Sequence, residues 1–448
     1  MKLAINHKNC CTEKDGIPWC KECVPCCIIE GWSSGNHDID EFIKNTIYNA
    51  NLRHTSIDNY SLLFLEWVPF GRFKKIRQIG VGGFAKVYTA IWIDGQAIYK
   101  RQDDGNWKKL DPKPIKVALK RLNGSQNISA EYLNELKTHW DLNQSFDDSL
   151  KFYGMTKDPE TKEFMMILEF AEKGNLRCFL SSNFNNILWK DKIFNLHGLA
   201  YDLKNLHKLG YFHRDFHSGN ILENISGGAF VSDFGLSRPS NEQISNKVCG
   251  VLPYIAPEVL NGEPYTLSSD IYSFGVIMGE LSSGKPPFHK RKHDTTLALA
   301  ICNGLRPEFG KGTPEFYKKL AHRCMNANPH QRPMAIELYE IIDFWDKCIK
   351  SINYQEKENF GYKGKEIKFM FKEADKEIQN ISTSYEINPD AIYTSRVFTF
   401  RNLSNPINSP IITSLYLNDE ENNKDCKDSQ LFNLEVSSSH ENDTDADD

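Results

Sequence analysis

Up to residue 170 the chain reads in strands and beyond it in helices, and this change of period narrows the possible architectures most. FKKIRQIG and VYTAIWI are two strands around a glycine-rich turn, IKVALKRL is a third, and KFYGMT and EFMMILEF are two more across a polar turn. AEYLNELKTHWDL interrupts them as an amphipathic helix, and residues 94–114, polar and broken by Gly and Pro, read as an inserted loop. Downstream, KIFNLHGLAYDLKNLHKLG and residues 268–281 carry helical spacing. Five strands with one main helix, followed by a mostly helical half, predict an α+β fold in two lobes, with a five-stranded antiparallel N-lobe.

Composition sets the rest of the frame. Residues 1–35 are Cys-rich, 36–68 form a linker with a helical pattern at Ile39, Phe42, Ile43, Ile47 and Tyr48, and 69–350 are the folded core. From 351 to 448 a Glu, Lys, Asn and Ser bias predicts a largely flexible tail, acidic from 419. That last stretch holds eleven carboxylates against Lys424 and Lys427, which leaves 52 Lys and Arg against 48 Asp and Glu elsewhere. So weak a basic balance argues against a nucleic-acid partner. Neither a signal peptide nor an apolar run of membrane-spanning length is legible, so a reducing, cytoplasmic setting is expected. The sequence carries no sign of oligomeric state.

The chemistry lies in an ordered set of short motifs. Gly80-Val81-Gly82-Gly83-Phe84-Ala85-Lys86-Val87 is followed by a strand, not the helix a dinucleotide site needs; alone it is an ordinary glycine-rich hairpin. Lys120 stands in VALK on the third strand, and Glu135 follows 15 residues later on the helix, with Glu131 one turn earlier as its rival. His213-Arg214-Asp215 precedes Asn220, then come Asp233-Phe234-Gly235 and Ala256-Pro257-Glu258. This series resembles the eukaryotic protein kinases over about residues 70–346. HRDFHSGN, GVLPYIAPE and DIYSFGVIMGEL look most like the tyrosine-kinase-like group, while the Cys-rich start and the YTSRVFTF tail resemble an expanded kinase-like family of mycorrhizal fungi. The resemblance implies ATP, magnesium and a protein substrate. By it, Lys120 holds phosphates and pairs with Glu135, Asp215 orients or deprotonates the substrate hydroxyl, and Asn220 and Asp233 bind magnesium. It places Ile79, Gly80, Gly82, Val87, Ala118 and Leu222 around the nucleotide, Leu168 at its back, and hinge hydrogen bonds at Glu169 and Ala171. Asp270 then anchors the catalytic loop, and Arg332 pairs with Glu258.

Departures qualify this. The third glycine of the turn is Ala85, and His217 and Val251 stand where serine/threonine members carry Lys and Thr; yet Tyr254-Ile255 is not the tyrosine-kinase pair. Serine/threonine specificity is the expectation, with dual or tyrosine specificity as the alternative and a non-catalytic scaffold as the reading from another class. Retention of Lys120, Asp215, Asn220 and Asp233 argues for activity. In the N-terminal cluster, Cys10 or Cys11 with Cys20, Cys23 and either His7 or Cys26 has zinc-site spacing; unmetallated thiols and palmitoylation compete with that reading. Arg214, beside the catalytic Asp, implies a phosphate acceptor on the activation loop. Ser245 and then Ser240 are the candidates, because Ser237 lies too close to Asp233.

Overall fold

A computed structural model describes residues 31–56, 59–82, 85–101, 107–111, 113–145, 149–224, 228–239, 248–400, 403–408 and 410. The first helix, α1 (His37–Tyr48), is capped by Asn36, whose side chain accepts from the Ile39 amide at 3.1 Å. Ile39, Ile43 and Ile47 recur every four residues and are buried against Tyr132, Leu136 and Trp140 of α2 (Ala130–Ser145). The segment expected as a linker is thus docked on the N-lobe helix.

The N-lobe sheet is built from β1 (Glu66–Trp67), β2 (Phe73–Val81), β3 (Ala85–Trp92), β4 (Ile115–Leu122), β5 (Phe152–Lys157) and β6 (Phe164–Glu169), in the order β1-β5-β6-β4-β3-β2. Five strands pair antiparallel as expected. The sixth, β1, lies parallel to β5 with Glu66 opposite Gly154 and Trp67 opposite Met155. Two residues carry no period to read. Their place is fixed by a contact: a Cβ on Gly154, whose φ is +155°, would stand 2.0 Å from the Glu66 carbonyl oxygen. Trp67 also packs edge-on against Phe164. Within the insert, residues 99–101 pair with 107–109 as a small hairpin.

The C-lobe is helical: α3 (Leu176–Asn183), α4 (Trp189–Lys208), α5 (Leu267–Ser283), α6 (Thr295–Cys302), α7 (Glu315–Cys324) and α8 (Ala335–Lys350). α5 is buried almost all round, with Ile271, Phe274, Val276, Ile277 and Leu281 at the centre of the core. The short strands β7 (Ile221–Glu223) and β8 (Ala229–Val231) pair antiparallel and bring the segments around Asp215–Asn220 and Asp233 together.

The tail corrects the expectation of a flexible segment from 351. Residues 364–377 form α9 (Gly364–Glu377), whose Ile367, Phe371 and Ala374 are buried, followed by buried Ile378. Phe371 lies among Trp189, Phe316 and Trp345 at centroid distances of 5.5, 5.1 and 6.2 Å. Lys and Glu make up half of this helix, yet its apolar residues Ile367, Phe371 and Ala374, with Ile378 after it, share one buried face. Beyond it, β10 (Arg396–Phe398) pairs antiparallel with β9 (Val248–Gly250) of the activation segment. The acidic stretch from 419 lies outside the described residues.

Candidate active site

Strand register assembles one wall of the cleft. In β4, residues 118 and 120 share a face because side chains alternate. Val87 stands opposite Lys120, while Met166 and Leu168 of β6 stand opposite Lys120 and Ala118. Val87, Ala118, Lys120 and Leu168 therefore line the same face. Ile79 is 48% exposed at the end of β2. Glu169 closes β6, the Ala171 carbonyl accepts from the Gly174 amide at 3.1 Å, and Leu222 enters from below, bridged to Asn175.

At the glycine-rich turn the Gly82 amide donates to the Ala85 carbonyl at 2.7 Å. Among the described residues, added Cβ atoms would meet nothing nearer than 3.8 Å at Gly80 and 3.5 Å at Gly82, so packing against these residues does not require either glycine. The space left open suits a ligand approached closely by backbone amides.

Lys120 Nζ donates to Glu135 Oε1 at 2.5 Å and to Asp233 Oδ1 at 2.7 Å. Burial opposes its charge, but two carboxylates hold the ammonium above its usual pKa. Burial likewise opposes ionisation of Asp233, and the Lys120 charge outweighs it, holding the carboxyl below the usual range. Asp233 and Arg214 have φ of 65° and 67°, a conformation that costs of order 1–3 kcal/mol per residue and needs a supporting frame. Asp270 is part of that frame: Oδ2 accepts from the His213 amide at 2.8 Å and contacts His207 Nε2 at 3.0 Å. Oδ1 accepts from the Arg214 amide at 3.1 Å and from Tyr265 at 2.6 Å. A column of rings adds to it, with Phe234 4.6 Å from His139 and 5.2 Å from His213. Glu258 and Arg332 form a bidentate pair at 2.7 and 2.6 Å, fully inside the C-lobe.

Asn220 Nδ2 donates to Asp215 O at 3.0 Å and Oδ2 at 3.2 Å, so its amide oxygen is the atom left for a cation. Asp215 is buried; the neighbouring His217, with hydrogen bonds from it and from Ser395, overcomes the burial cost and keeps the carboxyl below its ordinary pKa. His217 Nδ1 accepts from the Gly219 amide at 3.0 Å, which puts the neutral ring's proton on Nε2, 3.5 Å from Asp215 Oδ1. Oδ1 thus faces the His217 ring, while Oδ2 accepts from Asn220 and from Ser395.

The cleft is about 720 Å³, lined by Gly82, Glu135, Asp215, Asn220 and Asp233. The family description "Protein tyrosine and serine/threonine kinase" matches residues 73–342. The chain belongs to the protein kinase family. Its kinase domain is 28% identical over 285 residues to a probable serine/threonine-protein kinase of Dictyostelium discoideum, covering 62% of this chain and 15% of that one. It is 29% identical over 270 residues to the cytokinesis protein sepH of Aspergillus terreus, covering 58% and 18%. The chain thus aligns with less than a fifth of the length of either relative.

Kinases use ATP and magnesium, and the residues present fit both. Magnesium takes one or two carboxylates, waters and substrate phosphates more often than a protein cage. Asp233 and the Asn220 amide oxygen supply that kind of partial shell. Elsewhere among the described residues no cluster of three or more His, Cys, Asp or Glu could hold a metal. No described helix is long and apolar enough to cross a membrane. The zinc candidates Cys10, Cys20, Cys23 and Cys26, and the phosphosite candidates Ser240 and Ser245, lie outside the described residues. Ser237 is buried, its hydroxyl donating to the His213 carbonyl at 3.4 Å. Sequence reasoning missed Tyr393, Thr394 and Ser395, which line this same cleft. No local spacing could have brought them there.

Proposed function

We propose that this kinase transfers the γ-phosphate of ATP to serine or threonine hydroxyls of proteins. Lys120, held charged by Glu135 and Asp233, grips the nucleotide phosphates. Asn220 and Asp233 hold the magnesium ion, which neutralises charge on the transferring group. Asp215 accepts the hydroxyl proton or orients the hydroxyl. Ile79, Gly80, Gly82, Val87, Ala118 and Leu222 enclose the nucleotide, with backbone contacts at Glu169 and Ala171. The observation that carries the specificity is that Asp215 accepts a hydrogen bond from an aliphatic hydroxyl, Ser395, on backbone that continues into a pair with β9. A chain held at that depth leaves room for a one-carbon side chain, and a tyrosine phenol would overshoot the carboxylate. Activation-loop phosphorylation at Ser245 or Ser240 belongs to the same proposal. Burial, and to a lesser extent the nearby Arg238 cation, lower the pKa of Arg214, so a phosphate there would relieve an unfavourable site.

Incubation with magnesium, labelled ATP and a generic protein substrate, followed by phosphoamino-acid analysis, tests this. Label on Ser and Thr, absent in Lys120→Met and Asp233→Asn, is the expected result. Label confined to Tyr would overturn the specificity, and full activity of either variant would overturn the residue assignments.

A further inference from the structure

The tail does not stop at α9. It runs back along the C-lobe and enters the cleft, and its contacts are specific at each step. The Asn388 amide donates to the His289 carbonyl at 2.9 Å, and the His293 amide donates to the Asp390 carbonyl at 3.1 Å. His293 Nδ1 meets the Ile392 carbonyl at 2.9 Å, and Tyr393 stacks edge-on to the His293 ring at 4.7 Å. The Tyr393 hydroxyl donates to the Pro287 carbonyl at 2.9 Å, and Arg177, 4.7 Å above its ring, donates to the Tyr393 carbonyl at 3.1 Å. Two residues later Ser395 Oγ donates to Asp215 Oδ2 and stands 3.5 Å from His217 Nε2. Arg396 then donates to the His293 carbonyl at 2.6 Å. Arg396, Val397 and Phe398 pair antiparallel with Gly250, Cys249 and Val248.

We propose that residues 391–400 are a built-in substrate of this kinase, seated along the activation segment with Ser395 as phosphoacceptor, so that the enzyme phosphorylates its own tail in cis and excludes other substrates until it has done so. The proposal rests on the kinase reading above and deepens it. Tyr393, Phe398 and Phe400 of this segment pack against the C-lobe core, while Val397 is 56% exposed. Its polar contacts gather on Asp215, His217, Arg177 and His293, with backbone pairing that is indifferent to sequence, as strand addition to an exposed edge requires. Ser395 is tethered on both sides: before it the chain is anchored by buried α9 and by the Asn388 amide on the His289 carbonyl, and after it the Ile407 amide donates to the Cys302 carbonyl at 2.9 Å and the Ala327 amide donates to Asn408 Oδ1 at 2.7 Å. Delivery is therefore intramolecular.

In the step, Ser395 Oγ bonds to the γ-phosphorus of ATP while the bond from that phosphorus to the β,γ-bridging oxygen breaks. The hydroxyl proton passes to Asp215, and ADP departs with the bridging oxygen. The product phosphoserine carries roughly −1.5 to −2 charges beside the Asp215 and Asp233 carboxylates, and like-charge repulsion favours release of the segment. Phosphorylation of Ser395 would then open the groove to other proteins.

Three measurements on the full chain test this. With magnesium and ATP, mass spectrometry should find phosphate on Ser395, and the fraction modified per minute should be unchanged over a hundred-fold dilution. Phosphate absent from Ser395, or a rate proportional to protein concentration, would overturn delivery in cis. Tyr393→Ala, which removes the ring from Arg177 and His293, should raise the initial rate on an added serine peptide several-fold and slow Ser395 modification. A wild type active on the peptide with no gain in the variant leaves the kinase reading intact and overturns the occlusion. Amide exchange at 396–398 reads seating without any chemistry. Protection in the unphosphorylated wild type, lost in Tyr393→Ala, is expected even if transfer proves absent; no protection in the wild type overturns the seating.

Discussion

Asp270→Asn should uncouple the catalytic loop from the C-lobe while leaving the nucleotide wall in place. Asp270 is wholly buried in α5 and its two oxygens serve four groups: the His213 and Arg214 amides, His207 and Tyr265. Asparagine keeps the shape and one acceptor oxygen. Whichever way the amide turns, its NH₂ faces one of the two backbone donors and orphans it. Hydrogen bonds to a charged group contribute about 1.5–3 kcal/mol each, and an unsatisfied buried donor costs about 1–3 kcal/mol. Two weakened bonds and one orphan give a loss of about 3–5 kcal/mol. The left-handed backbone at Arg214 would relax once its amide is released, moving Asp215 with it. A displacement near 1 Å at the reacting group can cost about 100-fold in rate. Denaturant unfolding should show the stability loss, single-turnover assays should show transfer slowed by about that factor, and nucleotide affinity measured by calorimetry should change less than about threefold, since β2, β3 and β4 do not touch Asp270. A variant within about 1 kcal/mol of wild type with undiminished turnover would refute the anchoring role.

Other perturbations have equally definite outcomes. Arg332→Ala strands Glu258 inside the C-lobe and should cost about 3–5 kcal/mol by the same unfolding assay. Phe371→Ala empties the space between α9 and the Trp189–Trp345 cluster and should cost about 3–5 kcal/mol, whereas a free tail would show no change. His139 is buried, and its pKa is driven down to about 3 by that burial and by Lys120. The unfolded chain binds a proton near pH 6.5 that the folded state refuses, so this group penalises folding increasingly as pH falls from 6.5 towards 3. His139→Leu should therefore gain about 2 kcal/mol relative to wild type between pH 7.5 and pH 5; a parallel pH dependence would count against a neutral buried ring.

What the sequence revealed and what it hid follow a physical division. Lys120, Glu135, Asp215, Asn220 and Asp233 sit in short motifs whose order constrains them, and strand alternation alone puts Ala118 and Lys120 on one face. The Asp270 and Arg332 pairings are long-range, yet they were legible because the family resemblance carries them. The two-residue strand at Glu66 is too short for any period, and its register depends on the missing side chain of Gly154. In α9 the Lys and Glu residues, half of the helix, masked an apolar face of Ile367, Phe371 and Ala374 that continues into Ile378. Ser395 was out of reach altogether: it meets Asp215 across 180 residues through backbone pairing, which leaves no side-chain pattern to read.

The most direct test of the central claim is to offer the full chain magnesium with ATP labelled at the γ-phosphate or, separately, at the α-phosphate. Label from the γ-position on protein serine or threonine, with none from the α-position and none in Asp233→Asn, is the expected result. Tight nucleotide binding with no γ-label on protein, in the wild type and in Tyr393→Ala alike, would contradict it.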